Sequence, residues 1–220
     1  MADVLIIGAS GGIGSALARS YRDQGNNVHT LSRRDDGLDI TNQDNVAQSL
    51  DGLGSFDRVI IATGALEINE ATPEKSIKSI NADAMADQFT LNAIGPALVL
   101  SHAHTLLARD RPSACAILSA RVGSIEDNHL GGWISYRAAK AALNQIVRTS
   151  AIELRRSHKQ TAVVALHPGT VATRFTEKYV GRHPTVTPDE AAQNIISVLE
   201  KLGPTDTGRF LDYSGTDIAW

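Results

Sequence analysis

Several features are scarce in this chain, beginning with cysteine, which occurs only at Cys115. A single cysteine excludes an intrachain disulfide, and its place in the apolar run 114–118 predicts a buried strand thiol rather than a nucleophile. No apolar run approaches the ~18 residues of a membrane span, and residues 1–8 lack the basic start and long apolar core of a signal peptide. A net charge of −3 leaves no basic surface for nucleic acid. We therefore expect a cytoplasmic protein that binds neither membranes nor nucleic acids.

Short apolar runs alternate with longer helical patterns along the 220 residues. Strands are predicted over 4–7, 28–31, 58–62, 114–118, 161–166 and 208–212, and the first of them is a continuous apolar run that ends in glycine. Helices are predicted over 13–24, 42–50 (N-cap Thr41), 82–108 (bent near Gly95-Pro96), 133–156 and 188–202 (N-cap Thr187), and one is predicted to open at Pro73. The β-α-β order predicts one α/β domain over residues 1–220, with a doubly wound parallel sheet and helices on both faces. The irregular stretch 173–186 is predicted to be a flap over the site.

The first predicted strand is followed by a glycine loop, in which Gly8, Gly12 and Gly14 are spaced G-x-x-x-G-x-G. Glycines let the backbone turn tightly and approach a pyrophosphate without a Cβ in the way. The helix that begins near Gly12 points its free N–H groups and positive end at the same place. This context indicates a dinucleotide-binding domain of the Rossmann type. The residues predicted to line the pyrophosphate are Gly8, Ser10, Gly11, Gly12, Ile13 and Gly14.

The end of the second strand indicates which dinucleotide is preferred. NAD-binding sites usually place Asp or Glu here, to accept a hydrogen bond from the 2′-hydroxyl of the adenosine ribose. This chain has Ser32 and Arg33 instead, and its first acid is Asp35. A carboxylate would repel a 2′-phosphate, whereas a guanidinium helped by a hydroxyl would bind one. The sequence therefore predicts that NADP(H) is preferred and that NAD(H) is possible.

Tyr136 and Lys140 lie one turn apart on one face of the predicted helix over 133–156. A tyrosine phenol has a pKa of about 10, too high for easy proton exchange near neutrality. We expect the ammonium of Lys140 to lower the pKa of this phenol. The pair is suited to moving a proton at a carbonyl or alcohol oxygen. Trp133, one turn before Tyr136, either walls the substrate pocket or packs in the core.

These motifs, in this order and over nearly the whole chain, resemble the short-chain dehydrogenase/reductase family. Within it, 122–125, 131–137 and 212–220 resemble the small carbonyl reductases related to sniffer and to bacterial C-factor-like proteins. The resemblance implies that Lys140 also binds the nicotinamide ribose. It implies that Asn92, within 90–96, is catalytic and holds a water that links Lys140 to solvent. It further implies a homodimer or homotetramer, although small carbonyl reductases can be monomers.

The resemblance implies further contacts with the cofactor. Asp39 and Ile40 match the segment that contacts adenine. The family often has N-N-A-G after the third strand, and of these residues the chain keeps the glycine, Gly64, so that backbone contact can survive. The segment 167–173 resembles the P-G-x-x-x-T motif around the nicotinamide carboxamide. The implied cofactor-binding residues are Asp39, Ile40, Ala62, Thr63, Gly64, Tyr136, Lys140, Pro168, Gly169, Thr170, Val171 and Thr173.

One departure from the family concerns its catalytic serine. The strand before the active site often ends Ser-Ser in the family, with the second serine catalytic, and Ala120 occupies that place here. Ser119 is the nearest serine, but an ideal strand would point it to the other face. A local bend would bring Ser119 round, or Ser124 would substitute for it. Ser119 is the predicted catalytic serine, beside Tyr136, Lys140 and Asn92.

The motifs together predict NADPH-dependent reduction of a small aldehyde or ketone, reversible as alcohol oxidation, with Tyr136 as proton donor. A cofactor-sensing or signalling protein with little turnover is the alternative. The missing serine favours that alternative, whereas the intact Tyr136, Lys140 and Asn92 argue against it. No metal site is expected, because His102 and His104 are two residues apart and do not share a helix face.

Overall fold

The computed structural model describes residues 1–173, 176 and 185–220. Its strands are β1 (Asp3–Ile7), β2 (Asn27–Leu31), β3 (Arg58–Ile61), β4 (Ser113–Leu118), β5 (Thr161–His167) and β6 (Phe210–Asp212). They form one sheet in the order β2-β1-β3-β4-β5-β6, and every neighbouring pair is parallel. The predicted strands are thereby confirmed, and the last begins two residues later than expected, at Phe210.

Helices connect the strands. They are α1 (Gly12–Asp23), α2 (Arg33–Asp36), α3 (Gln43–Leu50), α4 (Ala82–Phe89), α5 (Gly95–Leu100), α6 (Ala103–Leu106), α7 (Ile134–Leu154) and α8 (Pro188–Lys201). Short 3₁₀ turns occupy Ile77–Ser79, Arg121–Gly123 and Pro204–Asp206. As predicted, the hydroxyl of Thr187 caps α8 by accepting from the N–H of Glu190 at 3.1 Å.

Apolar side chains cover both faces of the central strands, which is why β1, β3, β4 and β5 are largely apolar and buried, whereas the edge strand β2 is mostly polar and partly exposed. Alternate residues of β4 show the division. Cys115 and Ile117 pack into a cluster that includes Leu143 of α7, whereas Ala116 packs into a second cluster with Leu17 of α1 and several residues of α8. Helices therefore lie on both faces, and the predicted doubly wound Rossmann-type fold is confirmed.

The strand order reverses at β1, where the chain first moves to β2 and then crosses to β3 on the other side. The backbone just beyond these strands continues the pairing of the sheet. Gly8 N–H donates to the carbonyl of Leu31 and Ala62 N–H donates to the carbonyl of Ile7, both at 2.7 Å. Open α/β sheets bind their ligands beyond the carboxyl ends of the strands at such a reversal. The fold thus places the glycine loop and the segment 62–64 at one crevice.

Two of the predicted helix starts are wrong. No helix opens at Pro73, since residues 72–76 lie outside helices and are followed by the 3₁₀ turn Ile77–Ser79. The carbonyl of Glu74 in this segment instead accepts from Trp133 N–H, a tertiary contact that a local proline signal does not reveal. The N-cap of α3 is Asn42 rather than Thr41, and its side chain accepts from the N–H of Asn45 at 3.0 Å.

The region predicted as one bent helix over 82–108 consists of several helical pieces. A π-helical turn, Thr90–Ile94, separates α4 from α5, and the break lies just before Gly95. Single π-turns inside α-helices occur often at functional sites. This one contains Asn92, a predicted catalytic residue.

The segment 173–186, predicted as a flap, lies largely outside the described residues. The prediction of a single domain over 1–220 stays a prediction. Within residues 1–173, 176 and 185–220, the helices are all too short or too polar to cross a lipid bilayer.

Candidate active site

The loop between β1 and α1 is packed too closely for side chains at two of its glycines. A Cβ on Gly14 would lie 2.3 Å from the carbonyl oxygen of Gly8, and a Cβ on Gly8 would lie 2.7 Å from that of Ala62. Gly11, at the N-cap of α1, supplies no side-chain cap for the first helical N–H groups. Gly12 is exposed, and Ser10 and Ile13 are half-buried beside it. An uncapped helix start with close backbone around it fits a pyrophosphate.

The turn after β2 places one arginine apart from the neighbouring acids. The carboxylate of Asp36 accepts from Ser32 N–H at 2.8 Å, and Asp35 pairs with Arg34 at 2.9 Å. Ser32 is buried, and its hydroxyl caps α2 by accepting from the N–H of Asp35. Arg33 is exposed and forms no ion pair with the described residues. Arg33 is therefore the cation that this turn offers to a ligand, while Ser32 fixes the shape of the turn.

Asp39 and Ile40, the predicted adenine contacts, differ in exposure. Asp39 is exposed enough to meet a ligand, and its carboxylate accepts from the hydroxyl of Thr41 at 2.7 Å. That hydrogen bond and the Thr41 N–H lower the pKa of Asp39, with a smaller lowering by Arg33. Ile40 is 5% exposed and packs against Gly95, where a Cβ would lie 2.8 Å from its Cδ1.

Three predicted site residues from distant parts of the chain meet at the carboxyl edge of the sheet. Gly64 has a φ of +142°, and a Cβ there would lie 2.7 Å from Oδ1 of Asn92 and 3.4 Å from Nζ of Lys140. Asn92 is fully buried, and its amide donates to the carbonyl of Ala65 at 2.8 Å and to Gln88 at 2.7 Å. The Lys140 ammonium donates to the carbonyl of Leu118 at 3.1 Å. The π-turn and α7 thus bring these groups to the end of β3.

Tyr136 and Lys140 are both buried, with 5% and 3% of their surfaces exposed. Nζ of Lys140 lies 5.8 Å from the centroid of the Tyr136 ring. Burial raises the pKa of the Tyr136 phenol and lowers the pKa of Lys140 to about 8. The net shift of the Tyr136 pKa is therefore upward and is caused by loss of hydration of the buried phenol, and the lowering expected from Lys140 stays a prediction.

The depressed pKa of Lys140 makes stability depend on pH. An unfolded lysine titrates near 10.4, so the unfolded chain binds more protons than the folded chain between pH 8 and that value. Burial of Lys140 therefore destabilises the folded state most below pH 8, and this destabilisation disappears as the pH rises toward 10.4. We expect the free energy of unfolding of the wild type, relative to Lys140→Met, to rise by about 2 kcal/mol from pH 7.5 to 9.5. Urea unfolding of both proteins measures this difference, and a flat or falling difference would contradict it.

Ser119 faces α7, not the opposite side of the sheet. Its hydroxyl donates to Oδ1 of Asn144 at 2.6 Å, and the amide of Asn144 donates in turn to the carbonyl of Gly123 at 3.3 Å. Ser124 is also buried, and its hydroxyl accepts from the N–H of Asp127 at 3.0 Å. Both serines hold the chain after β4, and a catalytic role for Ser119 stays a prediction.

The segment after β5 returns to the glycine loop. A Cβ on Gly12 would lie 2.8 Å from the methyl of Thr173. The carbonyl of Thr170 accepts from Val186 N–H at 3.0 Å, and Val171 is buried. Gly169, after Pro168, has a φ of +84°. The predicted nicotinamide segment therefore lies beside the predicted pyrophosphate loop.

Two buried polar atoms at this edge have no hydrogen-bond partner within the described ranges. They are Oγ1 of Thr63, after β3, and Nδ1 of His167, at the end of β5. Buried polar atoms are normally satisfied, so such atoms often mark the place of a ligand or water. Together with the tight glycine loop, they show that the residues present fit a bound dinucleotide.

Glu74 and Trp133 are site residues that the sequence analysis missed or left open. Trp133 packs edge-on against the ring of Tyr136, with centroids 6.4 Å apart. Its φ of +53° is unusual for a residue other than glycine. Glu74 is buried, and its carboxylate accepts from the N–H and hydroxyl of Ser135. The only sequence signal was the lack of a good N-cap residue before α7.

A cavity of about 250 Å³ opens beside the active site, between the loop after β4 and the outer side of α7. Its walls include Ile125, Gly131 and Arg137, but not Tyr136. Within the described residues, no cluster of His, Cys, Asp and Glu could hold a metal ion.

The fold and this edge define a class of protein: a Rossmann-type oxidoreductase that uses a nicotinamide dinucleotide. A family model described as enoyl-(acyl carrier protein) reductase matches residues 8–200. The chain belongs to the short-chain dehydrogenase/reductase family, as the order of its motifs predicted.

Two relatives and two solved structures show the extent of the likeness. The chain is 31% identical to 1-hydroxy-2-glutathionyl-2-methyl-3-butene dehydrogenase of Rhodococcus sp. (strain AD45), with 100% of each chain covered. It is 37% identical to C-signal of Myxococcus xanthus over 62% of this chain and 78% of that one. A short-chain dehydrogenase/reductase of Burkholderia multivorans with bound NADP is 26% identical, with a TM-score of 0.79 and 99% of each chain covered. Carbonyl reductase Sniffer of D. melanogaster, at 22% identity, has the same fold, with a TM-score of 0.80 and full coverage of both chains.

Proposed function

We propose that the protein reduces an aldehyde or ketone with NADPH, and that Tyr136 donates the proton to the carbonyl oxygen. The observation that carries this proposal is the position of the buried Tyr136 phenol, whose ring lies 5.8 Å from Nζ of Lys140 at the sheet edge where Lys140, Gly64 and Asn92 meet. Reduction needs a proton donor at the oxygen, and a protonated phenol beside the cofactor crevice is such a donor. Oxidation of the alcohol is the reverse of the same step.

The chain's own residues support this proton transfer. NADPH, when bound, supplies the hydride. Lys140 lies beside Tyr136 and is placed to hold the nicotinamide ribose and to resupply the proton. Asn92 cannot move freely, because its amide is tied to Ala65 and Gln88, and its oxygen stands at Gly64 near Lys140. We propose that this fixed amide orients the water through which Lys140 exchanges protons with solvent.

A role for Ser119 in holding the carbonyl oxygen is part of the proposal. Its hydroxyl proton is already donated to Asn144, so that bond must open before Ser119 can donate to a substrate. Tyr136 is therefore the main donor at the oxygen.

Arg33 supports the preference for NADPH. It is the cation after β2 that forms no ion pair with the described residues, whereas Arg34 beside it is paired with Asp35. A guanidinium binds a phosphate by charge and by directed hydrogen bonds. The relative from Burkholderia multivorans was solved with NADP, which agrees with this assignment.

The proposal is tested by measuring oxidation of NADPH and of NADH with aldehydes, ketones and quinones. We expect turnover with NADPH, and we expect Arg33→Ala to lower the preference for NADPH over NADH by about tenfold or more, as loss of one charged hydrogen-bonding contact does. Arg34→Ala is the matched control, because Arg34 is already paired, and it should leave the preference unchanged. Equal loss in both variants would remove the special role of Arg33.

The cofactor-sensing alternative keeps one observation in its favour, which is the commitment of Ser119 to Asn144 with Ala120 beside it. Tight NADPH binding without turnover above that of Tyr136→Phe would establish that alternative. The cytoplasmic location and the homodimeric or homotetrameric state expected from the sequence stay predictions.

A further inference from the structure

The N-terminus of α7 is capped from outside the helix. Trp133 at the N-cap position supplies no side-chain cap. Instead the carboxylate of Glu74 accepts from the N–H of Ser135 at 3.3 Å and also from the Ser135 hydroxyl. Glu74 is 61 residues away in the chain and only 9% exposed. A negative group at a helix start satisfies free N–H groups and complements the helix dipole.

The same segment holds the strained residue before the helix. The carbonyl of Glu74 accepts from Trp133 N–H at 2.6 Å. Gly131, Gly132 and Trp133 all have positive φ, at +65°, +69° and +53°. Glycine adopts a positive φ without cost, so only Trp133 is strained by this conformation. Such strain persists only where surrounding contacts impose it. Glu74 therefore holds the helix start through its backbone and its side chain at once.

Tyr136 lies in the turn that this contact fixes. Ile134 is the first residue of α7, so that Ser135 and Tyr136 are the second and third. The Tyr136 ring rests against Trp133 at 6.4 Å. Lys140 lies one turn further along, where its ammonium donates to the carbonyl of Leu118 and its backbone packs closely against Gly123. Loss of the Glu74 contact should thus displace Tyr136 more than Lys140.

We propose that Glu74 is a positioning residue for Tyr136, which it aims by capping α7 through Ser135 and by fixing Trp133. The inference rests on the proposed function, in which Tyr136 is the proton donor. Misplacement of a reacting group by about 1 Å can cost on the order of 100-fold in rate. We therefore expect Glu74→Ala to lower kcat by about 30-fold or more while the Kd for NADPH changes less than about threefold.

The test uses two further variants and one matched control. Glu74→Gln keeps an oxygen that accepts from Ser135 and should restore most of kcat. Ser135→Ala should also lower kcat. The double variant should be no slower than Glu74→Ala alone, because both changes remove the same hydrogen bond between the Ser135 hydroxyl and the Glu74 carboxylate. Asn81→Ala is the control, since the exposed Asn81 caps a different helix, α4, by accepting from Ala84 N–H at 2.9 Å. It should lower thermal stability but leave kcat unchanged.

A second measurement does not depend on turnover. Trp133 and Trp220 are the two tryptophans of the chain, so that Trp220→Phe leaves Trp133 as the only fluorophore of its kind. In that background, Glu74→Ala should shift the Trp133 emission to longer wavelength and reduce its near-ultraviolet circular dichroism, and Asn81→Ala should not. Unchanged spectra together with an unchanged kcat would overturn the inference, as would an equal loss of kcat in the control.

These outcomes separate the two proposals. A wild type without turnover contradicts the proposed function, and the Trp133 spectra then still decide whether Glu74 fixes the helix start. A working wild type with a fully active Glu74→Ala contradicts the positioning role alone. If Glu74→Ala fails to fold, Ser135→Ala and Glu74→Gln carry the same comparison.

Discussion

Replacing Tyr136 with phenylalanine is expected to lower kcat about 1,000-fold, because general acid catalysis by a positioned side chain contributes about 10² to 10⁴. The change removes one oxygen from a residue that is 5% exposed, so the ring still packs against Trp133. NADPH binding should persist, since Lys140, Gly64 and the glycine loop are untouched. The measurement is single-turnover and steady-state oxidation of NADPH with the best substrate of the panel.

The chain offers a matched control for this change. Tyr21 of α1 is also buried, and its hydroxyl has no hydrogen-bond partner among the described residues. Tyr21→Phe removes the same atom without removing a bond, so kcat should stay at the wild-type value. A Tyr136→Phe variant that kept more than a tenth of the wild-type kcat would show that another group donates the proton.

Gly14→Ala is expected to lower the affinity for NADPH by about two orders of magnitude, or about 3 kcal/mol. The added Cβ would lie 2.3 Å from the Gly8 carbonyl oxygen and 3.0 Å from Cα of Ala9. Both are backbone atoms, so the whole loop must move away from the helix start that faces the pyrophosphate. Titration of NADPH fluorescence measures the affinity, and a thermal midpoint on the same sample shows whether the fold survives.

Gly203→Ala provides the comparison for the cost of any glycine substitution. Gly203 has a φ of −122°, which alanine adopts, and an added Cβ would meet only Oδ2 of Asp206 at 3.9 Å. It should bind NADPH like the wild type. Wild-type affinity in Gly14→Ala would mean that the loop does not approach the cofactor as closely as its packing implies.

The parts of the fold that the sequence predicts are those whose causes are local. Short apolar runs specify the buried parallel strands, and the i, i+4 spacing of Tyr136 and Lys140 fixes their common helix face. Their arrangement around Gly64 and Asn92 follows from the sheet order, because the carboxyl ends of neighbouring strands meet at one edge. The candidate site was therefore largely predictable.

The features that the sequence did not predict depend on contacts between distant residues. Pro73 has the local signature of a helix start, yet its segment crosses the start of α7, where Glu74 meets Ser135. The direction of the Tyr136 pKa shift depends on burial, which the spacing to Lys140 does not reveal. The hydroxyl of Ser119 finds its partner in Asn144, 25 residues away. Each depends on tertiary packing that overrides or adds to local preference.

The burial of Cys115 has a practical consequence. The thiol lies in the centre of β4 with 1% of its surface exposed, and burial raises its pKa to about 12. A thiol reagent needs the thiolate, and in the folded chain it meets neither the thiolate nor an open path to the sulfur. Labelling must wait until β4 separates from its neighbours, so its rate reports how often the centre of the sheet opens. The protein thus carries one intrinsic probe of its own cooperative unfolding.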